Sequence, residues 1–88
     1  MKSWYVYIVR CRDNSLYTGV TVDVTRRIDE HNSSDRLGAK YTRSRRPVTL
    51  IYQCQIKSRS AACVLESQIK KMTRQQKESL AEKHKTGP

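Results

Sequence analysis

From Trp4 to Arg10 two sets of β-forming residues alternate, Tyr5, Tyr7 and Val9 on one face and Trp4, Val6 and Ile8 on the other, which predicts a strand. Asp13-Asn14-Ser15 is a turn signal, and Leu16 to Val20 reads as a second strand returning antiparallel as a hairpin. The period then changes. Val24, Arg27, Ile28 and His31 fall at i, i+3, i+4 and i+7, one face of a helix opened by Asp23 as N-cap and broken near Asn32 by Asn-Ser-Ser. Ser33 to Pro47 holds no sustained period and reads as a loop. Val48 to Ile56 alternates again as a third strand. Ser58 caps a helix, Arg59 to Met72, whose Ala62, Leu65, Ile69 and Met72 recur at helical spacing. Thr73 with Gln76 has the capping-box pattern that starts a further short helix, Arg74 to about Lys83, and His84 to Pro88 reads as a frayed tail.

The order β-β-α-β-α-α predicts an α+β fold, a three-stranded antiparallel sheet with flanking helices. A hairpin alone is marginal in water, so the third strand and the helices are needed to cover it. The 88 residues allow one domain, taken as 1–83 with a tail at 84–88. Such a chain buries roughly 60–65% of the surface its unfolded form exposes, so its core is thin.

Composition adds a partner. The formal net charge is +10, which points to a polyanion, most often nucleic acid. With no Phe and one Trp, the aromatic content falls on five tyrosines, whose hydroxyls need partners when buried. The three cysteines, Cys11, Cys54 and Cys63, show no CxxC spacing and fit neither a disulfide framework nor a zinc site. They read as small core hydrophobes of a reduced, cytoplasmic protein. No apolar run approaches the roughly 18 residues that a membrane span requires, and no secretory segment follows Met1.

Candidate chemistry collects on the first helix and the strands before it. Arg27 and His31 share the inward stripe with Val24 and Ile28, although burial disfavours a cation and an imidazole without partners. Arg26 and Glu30 pair at i, i+4 and mark the outer face. Tyr7 and Tyr17 lie one on each arm of the hairpin. A phenol has a pKa of about 10, and nearby cations favour its phenolate, a usable base. Core packing with locally satisfied hydroxyls is the competing reading. Arg27 offers a guanidinium fork to a phosphodiester gaining charge, against the plainer role of a solvated helix arginine. His31 offers to take or share a phenol proton near neutral pH, against a role at the helix dipole. Glu66 is the one carboxylate between Asp35 and Glu78. It offers a ligand to a single Mg²⁺ that keeps most of its waters, against a plain ion pair with Lys70. Arg36, Lys40, Arg43, Arg45 and Arg46, with Tyr41 interleaved, form a candidate groove for a phosphate backbone, against an unpaired solvated run.

Taken together these residues resemble the GIY-YIG nuclease superfamily, and within it the small stand-alone single-domain subgroup. Tyr5-Val6-Tyr7 and Tyr17-Thr18-Gly19 stand for the two tripeptides, Arg27 follows ten residues after Tyr17 and His31 four after that, and Glu66 lies on the helix after the third strand. The subgroup's signature includes a segment like Gly38-Ala-Lys-Tyr-Thr-Arg43. The likeness runs over Trp4 to Leu80. It departs from the family at Tyr5, in place of glycine, and in the lack of an asparagine after Glu66. The resemblance implies metal-dependent hydrolysis of a DNA phosphodiester, with RNA or single-stranded nucleic acid as related substrates and DNA repair or processing as the setting. Arg27 would steady the phosphoryl group, Glu66 would hold one Mg²⁺ or Mn²⁺, and Tyr7 would act as base with Tyr17 and His31 in support, or Tyr17 in its place. Larger members add a domain for target choice; here a second copy or a partner protein would supply it. The rival expectation is a nucleic-acid-binding module of the same fold with weak or no cleavage. A membrane-surface adaptor is disfavoured, because the basic residues sit on a loop with no large apolar helix face opposite.

Overall fold

The structure, a computed structural model, describes residues 3–85. Strand β1 (Trp4–Arg10) is the centre of a three-stranded antiparallel sheet, between β2 (Leu16–Thr21) and β3 (Thr49–Ile56). Its β-branched and aromatic run suits that place, with Val6, Tyr7, Ile8 and Val9 all buried. On one face Val6 and Ile8 meet Ala62 and Ile69 of α3 (Arg59–Lys70), with Leu80 of α4 (Arg74–Lys85) packed beside them. On the other face Tyr7 and Val9 pack with Cys11, Val48 and Ile28 of α1 (Val24–Ser33). The core is thus two thin layers, one on each side of the sheet.

Register decides which side chains share a face. Tyr7 pairs with Gly19 and Val9 with Tyr17, so both phenols stand on the α1 face, on neighbouring rungs. On the other side of β1 the register shifts: Ile8 faces Tyr52 and Val9 faces Leu50, leaving Ile51 as the extra residue of a bulge. The bulge sends Leu50 to the α1 layer and both Ile51 and Tyr52 to the α3 layer.

The three longer helices start where their caps predict. Asp23 accepts from the Arg26 amide and Ser58 from the Ala61 amide. Thr73 and Gln76 exchange side-chain-to-backbone bonds of 3.2 and 2.9 Å. Helix ends are less legible: α3 stops at Lys70 and not Met72, and α4 continues through His84 to Lys85, into the stretch read as a tail. Residues 86–88 of that stretch lie outside the described residues. The loop from Ser33 to Pro47 contains one turn of helix, α2 (Lys40–Arg43), too short for any period to reveal.

Two side chains fasten this segment. Asn32 does more than end α1. Its amide donates to the Val48 carbonyl at 3.1 Å and its oxygen accepts from the Val48 amide at 2.7 Å, imitating a strand neighbour at the entrance to β3. Arg46 reaches back across the end of α1, its Nε donating to the His31 carbonyl (2.6 Å), Nη2 to the Ser34 carbonyl (2.8 Å) and Nη1 to Asp35 (2.9 Å). These carbonyls sit at the negative end of the helix dipole, so a guanidinium there is favourable. On the far side Arg10 grips Glu78 through two bonds, of 2.6 and 3.0 Å, tying α4 to the hairpin.

Thr18 on β2 is buried, and its hydroxyl has no hydrogen-bond partner among the described residues. Thr18→Val keeps the shape and removes the stranded polar group, so it is expected to stabilise the fold by about 1 kcal/mol in a urea titration. A loss of stability instead would show that a water holds the hydroxyl.

Candidate active site

The site lies at the β2 edge of the sheet, where the two layers come within reach of each other. A cleft of about 460 Å³ is lined there by Tyr7, Tyr17 and Gly19 from the hairpin, Arg27 from α1, and Cys63 and Glu66 from α3. Gly19 opens the way between the faces. A Cβ built on it would lie 2.6 Å from the Tyr7 ring carbon that bears the hydroxyl, so any larger residue would push the phenol out of its place. The glycine of the Tyr17-Thr18-Gly19 tripeptide is therefore a matter of close approach between a backbone and a ring.

Tyr7 is 1% exposed, with its hydroxyl 2.8 Å from Nε2 of His31. Burial pushes the phenol up to about 12, against the pull of the Arg27 guanidinium and with smaller upward contributions from Tyr17 and Glu66. Glu66, on the helix that covers the opposite face of the sheet, thus makes its charge felt at Tyr7. His31 is fully buried, and burial, helped by the charge of Arg27, holds its imidazole down at about 4. Near neutral pH this burial keeps the ring neutral, so what it offers Tyr7 there is a hydrogen bond.

Arg27 is anchored from behind. Its Nη1 donates to the Leu37 carbonyl at 2.6 Å and pairs with Glu30 at 2.9 Å. Glu30 lies 3.6 Å from Arg26 as well, so the acid read as belonging to the outer face bridges both arginines. Glu66 has Lys70 at 3.4 Å, the ion pair expected at i, i+4.

Tyr17 sits edge-on to His31, ring centroids 5.4 Å apart, and stacks on Tyr41 at 5.7 Å with an interplanar angle of 24°. Arg45 closes the stack, its guanidinium 4.1 Å from the Tyr41 centroid, while its Nε bonds Asp13 at 3.1 Å. Arg36, Lys40 and Arg43 are exposed on the same segment. Arg46 is not free in this way: all three of its guanidinium nitrogens bond within the protein, two to carbonyls at the end of α1 and one to the Asp35 carboxylate. Cys63 also departs from expectation; it is exposed on the cleft wall, whereas Cys11 is buried as a core residue.

Glu66 is the carboxylate in the cleft that could hold a metal ion. Among the described residues no group of three or more His, Cys, Asp and Glu side chains gathers to hold an ion. A single carboxylate does not fit a closed zinc site. It fits a hard divalent ion that keeps most of its waters and takes its remaining oxygens from a phosphate. A larger hollow of about 670 Å³ lies between α1 and β3; its walls hold Asp23 and Asp29 beside Arg26, and none of the tyrosines. The smaller cleft is the one that brings tyrosines, a guanidinium and a carboxylate together.

The contact between Thr42 and His31 is not visible from spacing. Thr42 is fully buried with its hydroxyl 3.1 Å from Nδ1 of His31. A buried threonine amid a basic run carries no periodic signal; only the Gly-Ala-Lys-Tyr-Thr-Arg signature marks the place.

The domain model that matches the sequence is the GIY-YIG catalytic domain, over residues 3–79. A UPF0213 protein of Staphylococcus haemolyticus is 52% identical over 82 residues, 93% of this chain and 98% of its own length. One from Haloquadratum walsbyi is 55% identical over 78 residues, 89% of this chain and 85% of its own. The solution structure of a UPF0213 protein from Bacillus halodurans is 43% identical and superposes with a TM-score of 0.59, covering 98% of this chain and 88% of that one. A solution structure of a protein from E. faecalis is 42% identical with a TM-score of 0.66, covering 100% of this chain and 92% of that one. Among the described residues no helix is long and apolar enough to cross a membrane.

Proposed function

Since the chain belongs to the GIY-YIG family, we propose that it is a divalent-metal-dependent endonuclease that hydrolyses DNA phosphodiesters, choosing by DNA structure or without choice, in DNA repair or processing. The observation that carries this reading is the convergence of Tyr7, Arg27 and Glu66, from two helices on opposite faces of a sheet and the strand between them, on one cleft.

Each residue then has a task. An Mg²⁺ or Mn²⁺ ion held by Glu66 would supply Lewis-acid neutralisation of the phosphoryl oxygens. Arg27, held by Glu30 and the Leu37 carbonyl, meets the charge that builds on phosphorus as a fifth oxygen arrives. Tyr7, as phenolate, takes a proton from the attacking water while the new O–P bond forms. The bond from phosphorus to the departing deoxyribose oxygen breaks, and that oxygen is protonated from solvent. Tyr17 walls the cleft, and His31 fixes the Tyr7 hydroxyl by hydrogen bonding. Arg36, Lys40 and Arg43, with the Tyr41–Arg45 stack, guide the strand by charge and by a flat surface. Arg46 is left out of this set. Free thiols fit a reducing, cytoplasmic setting, and a second copy or a partner protein would add target choice.

A phenol raised to about 12 is a base only in the small fraction that ionises, and that fraction grows tenfold per pH unit. Nicking of supercoiled plasmid at saturating Mg²⁺ or Mn²⁺ is therefore expected to rise with a logarithmic slope near +1 across the neutral range. Tyr7→Phe should abolish that slope together with most of the rate, whereas Tyr17→Phe keeps both. Cleavage by Tyr7→Phe at the unmodified rate, with Tyr17→Phe inactive, would transfer the base to Tyr17. The high phenol value also favours a second reading, a nucleic-acid-binding module, which is the conclusion if plasmid, branched and single-stranded DNA are bound but left uncut in either metal.

A further inference from the structure

The Gly38–Arg43 segment, read from the sequence as part of a phosphate groove, has an inward side with a different task. Gly38 lets the chain seat against the end of α1: a Cβ there would lie 2.7 Å from the Ser34 carbonyl oxygen and 2.8 Å from that of Glu30. The seating brings the next amide, Ala39 N–H, to 3.3 Å from Nδ1 of His31, and the Thr42 hydroxyl to 3.1 Å from the same nitrogen. A backbone N–H can only donate, and it cannot rotate away. A hydrogen on Nδ1 would point at the hydrogen of the amide, so Nδ1 accepts. The Thr42 hydroxyl can rotate to agree. Its single hydrogen lies between two acceptors, the Ala39 carbonyl at 3.0 Å, which already receives the amides of Thr42 and Arg43 at 3.2 Å each, and Nδ1 at 3.1 Å, where it joins the longer Ala39 amide on the one lone pair. A neutral imidazole with Nδ1 bare carries its hydrogen on Nε2, the nitrogen that faces Tyr7 at 2.8 Å.

We propose that Thr42 is a positioning residue of the hydrolytic site: with the Ala39 amide it holds His31 in the Nε2–H form, so that the imidazole donates to the Tyr7 oxygen. The direction of that bond matters. An N–H aimed at the oxygen favours the phenolate, whereas an imidazole accepting from the phenol would hold its hydrogen inside the protein. With the hydrogen bond arriving from His31, the phenol's own hydrogen turns towards the cleft, where solvent can remove it. The inference rests on the reading of Tyr7 as base. The charged and titratable groups around His31 are Arg27 and Glu30 on its own helix, Arg46 from the segment before β3, and Tyr7 and Tyr17 from the hairpin. None of them reaches Nδ1, where the Ala39 amide and the Thr42 hydroxyl are the hydrogen-bond partners.

The test is spectroscopic and independent of cleavage. In the full chain labelled with ¹⁵N, His31 is expected to show a protonated Nε2 and a bare Nδ1 at neutral pH, and the ¹³Cζ signal of Tyr7 reports the phenol's titration. Thr42→Val leaves Nδ1 with the Ala39 amide alone, at 3.3 Å, so the Nε2–H form should lose part of its excess and the Tyr7 titration should move up, lowering cleavage at neutral pH by up to about tenfold. Thr42→Ser, which restores the hydroxyl, should return both signals and the rate. A hydrogen on Nδ1 in the unmodified protein overturns the proposal, and so does an unchanged spectrum and pH profile in Thr42→Val. Should Thr42→Val not fold, the unmodified protein and Thr42→Ser still decide it through the tautomer. Absence of cleavage together with the Nε2–H spectrum would sink the nuclease reading and keep the tautomer; cleavage with an Nδ1–H spectrum would do the reverse.

Discussion

Glu66→Gln is expected to lower plasmid cleavage by about 10³-fold, an increase of about 4 kcal/mol in the barrier, with no change in thermal midpoint. The change is nearly isosteric and removes the one negative charge the cleft offers an ion. Its cost to the fold is small, because the partner of Glu66 is Lys70, an i, i+4 pair at 3.4 Å with the lysine exposed. Such pairs contribute only about 0.3–0.5 kcal/mol. Arg27→Ala should lose about 10²-fold, the size seen when one donor to a developing oxyanion is removed. It differs from Glu66→Gln in a second respect. Its Nη1 also holds the Leu37 carbonyl and Glu30, so the variant is expected to lose about 1 kcal/mol of stability too. Arg27→Lys keeps the charge but not the fork and should fall between. A preparation in which all three variants nick DNA at the unmodified rate owes its activity to a contaminant.

The second large effect is on the fold itself. His31 is buried neutral, with its imidazole held at about 4, while in the unfolded chain it takes a proton near 6.5. The unfolded state therefore binds the extra proton first as pH falls. Stability from this group is complete above about 6.5 and is lost progressively until the folded state is protonated as well, near 4. Between pH 7 and 5 the loss is about 2 kcal/mol, rising to about 3 kcal/mol at the lower end, a large share for a domain of this size. Urea midpoints at pH 7 and 5 measure it directly. Carboxylates interfere little in that interval: Asp13, bonded to Ser15, and Glu78, bonded to Arg10, are both held below their usual range and give way only in stronger acid. In His31→Gln the slope between pH 7 and 5 should flatten, even though the variant is less stable at pH 7. A slope that survives the substitution would assign the acid loss elsewhere.

These two effects separate what local sequence carries from what it does not. Caps and alternation are short-range, and they were sufficient for the three strands and the three longer helices, though not for α2: Asp23, Ser58 and the Thr73–Gln76 pair mark three helix starts, and the β1 alternation divides its residues between two layers. The ordered tripeptides, with Arg27, His31 and Glu66 after them, were enough to recognise the family. The environments of the same residues were not legible. The sequence offers His31 a role that needs it to titrate near neutral pH; its pKa is held down first by the loss of water and then by Arg27 and Arg46, against Glu30, and only packing determines these. Arg46 and Arg43 look alike in a basic run, yet one is bonded three times to the protein and the other is exposed.

The sequence by itself determined the order of elements, a basic surface and the identity of the groups available for chemistry, because backbone propensity, capping and charge are properties of neighbouring residues. The tertiary structure alone decided that an acid from one layer meets a phenol and a guanidinium from the other at the β2 edge. That meeting depends on Gly19 lying opposite Tyr7 across the ladder and on Gly38 letting the chain close over the end of α1. Contacts of this kind join residues far apart along the chain, and their physical cause, the space left where a side chain is missing, appears only when the backbones are side by side.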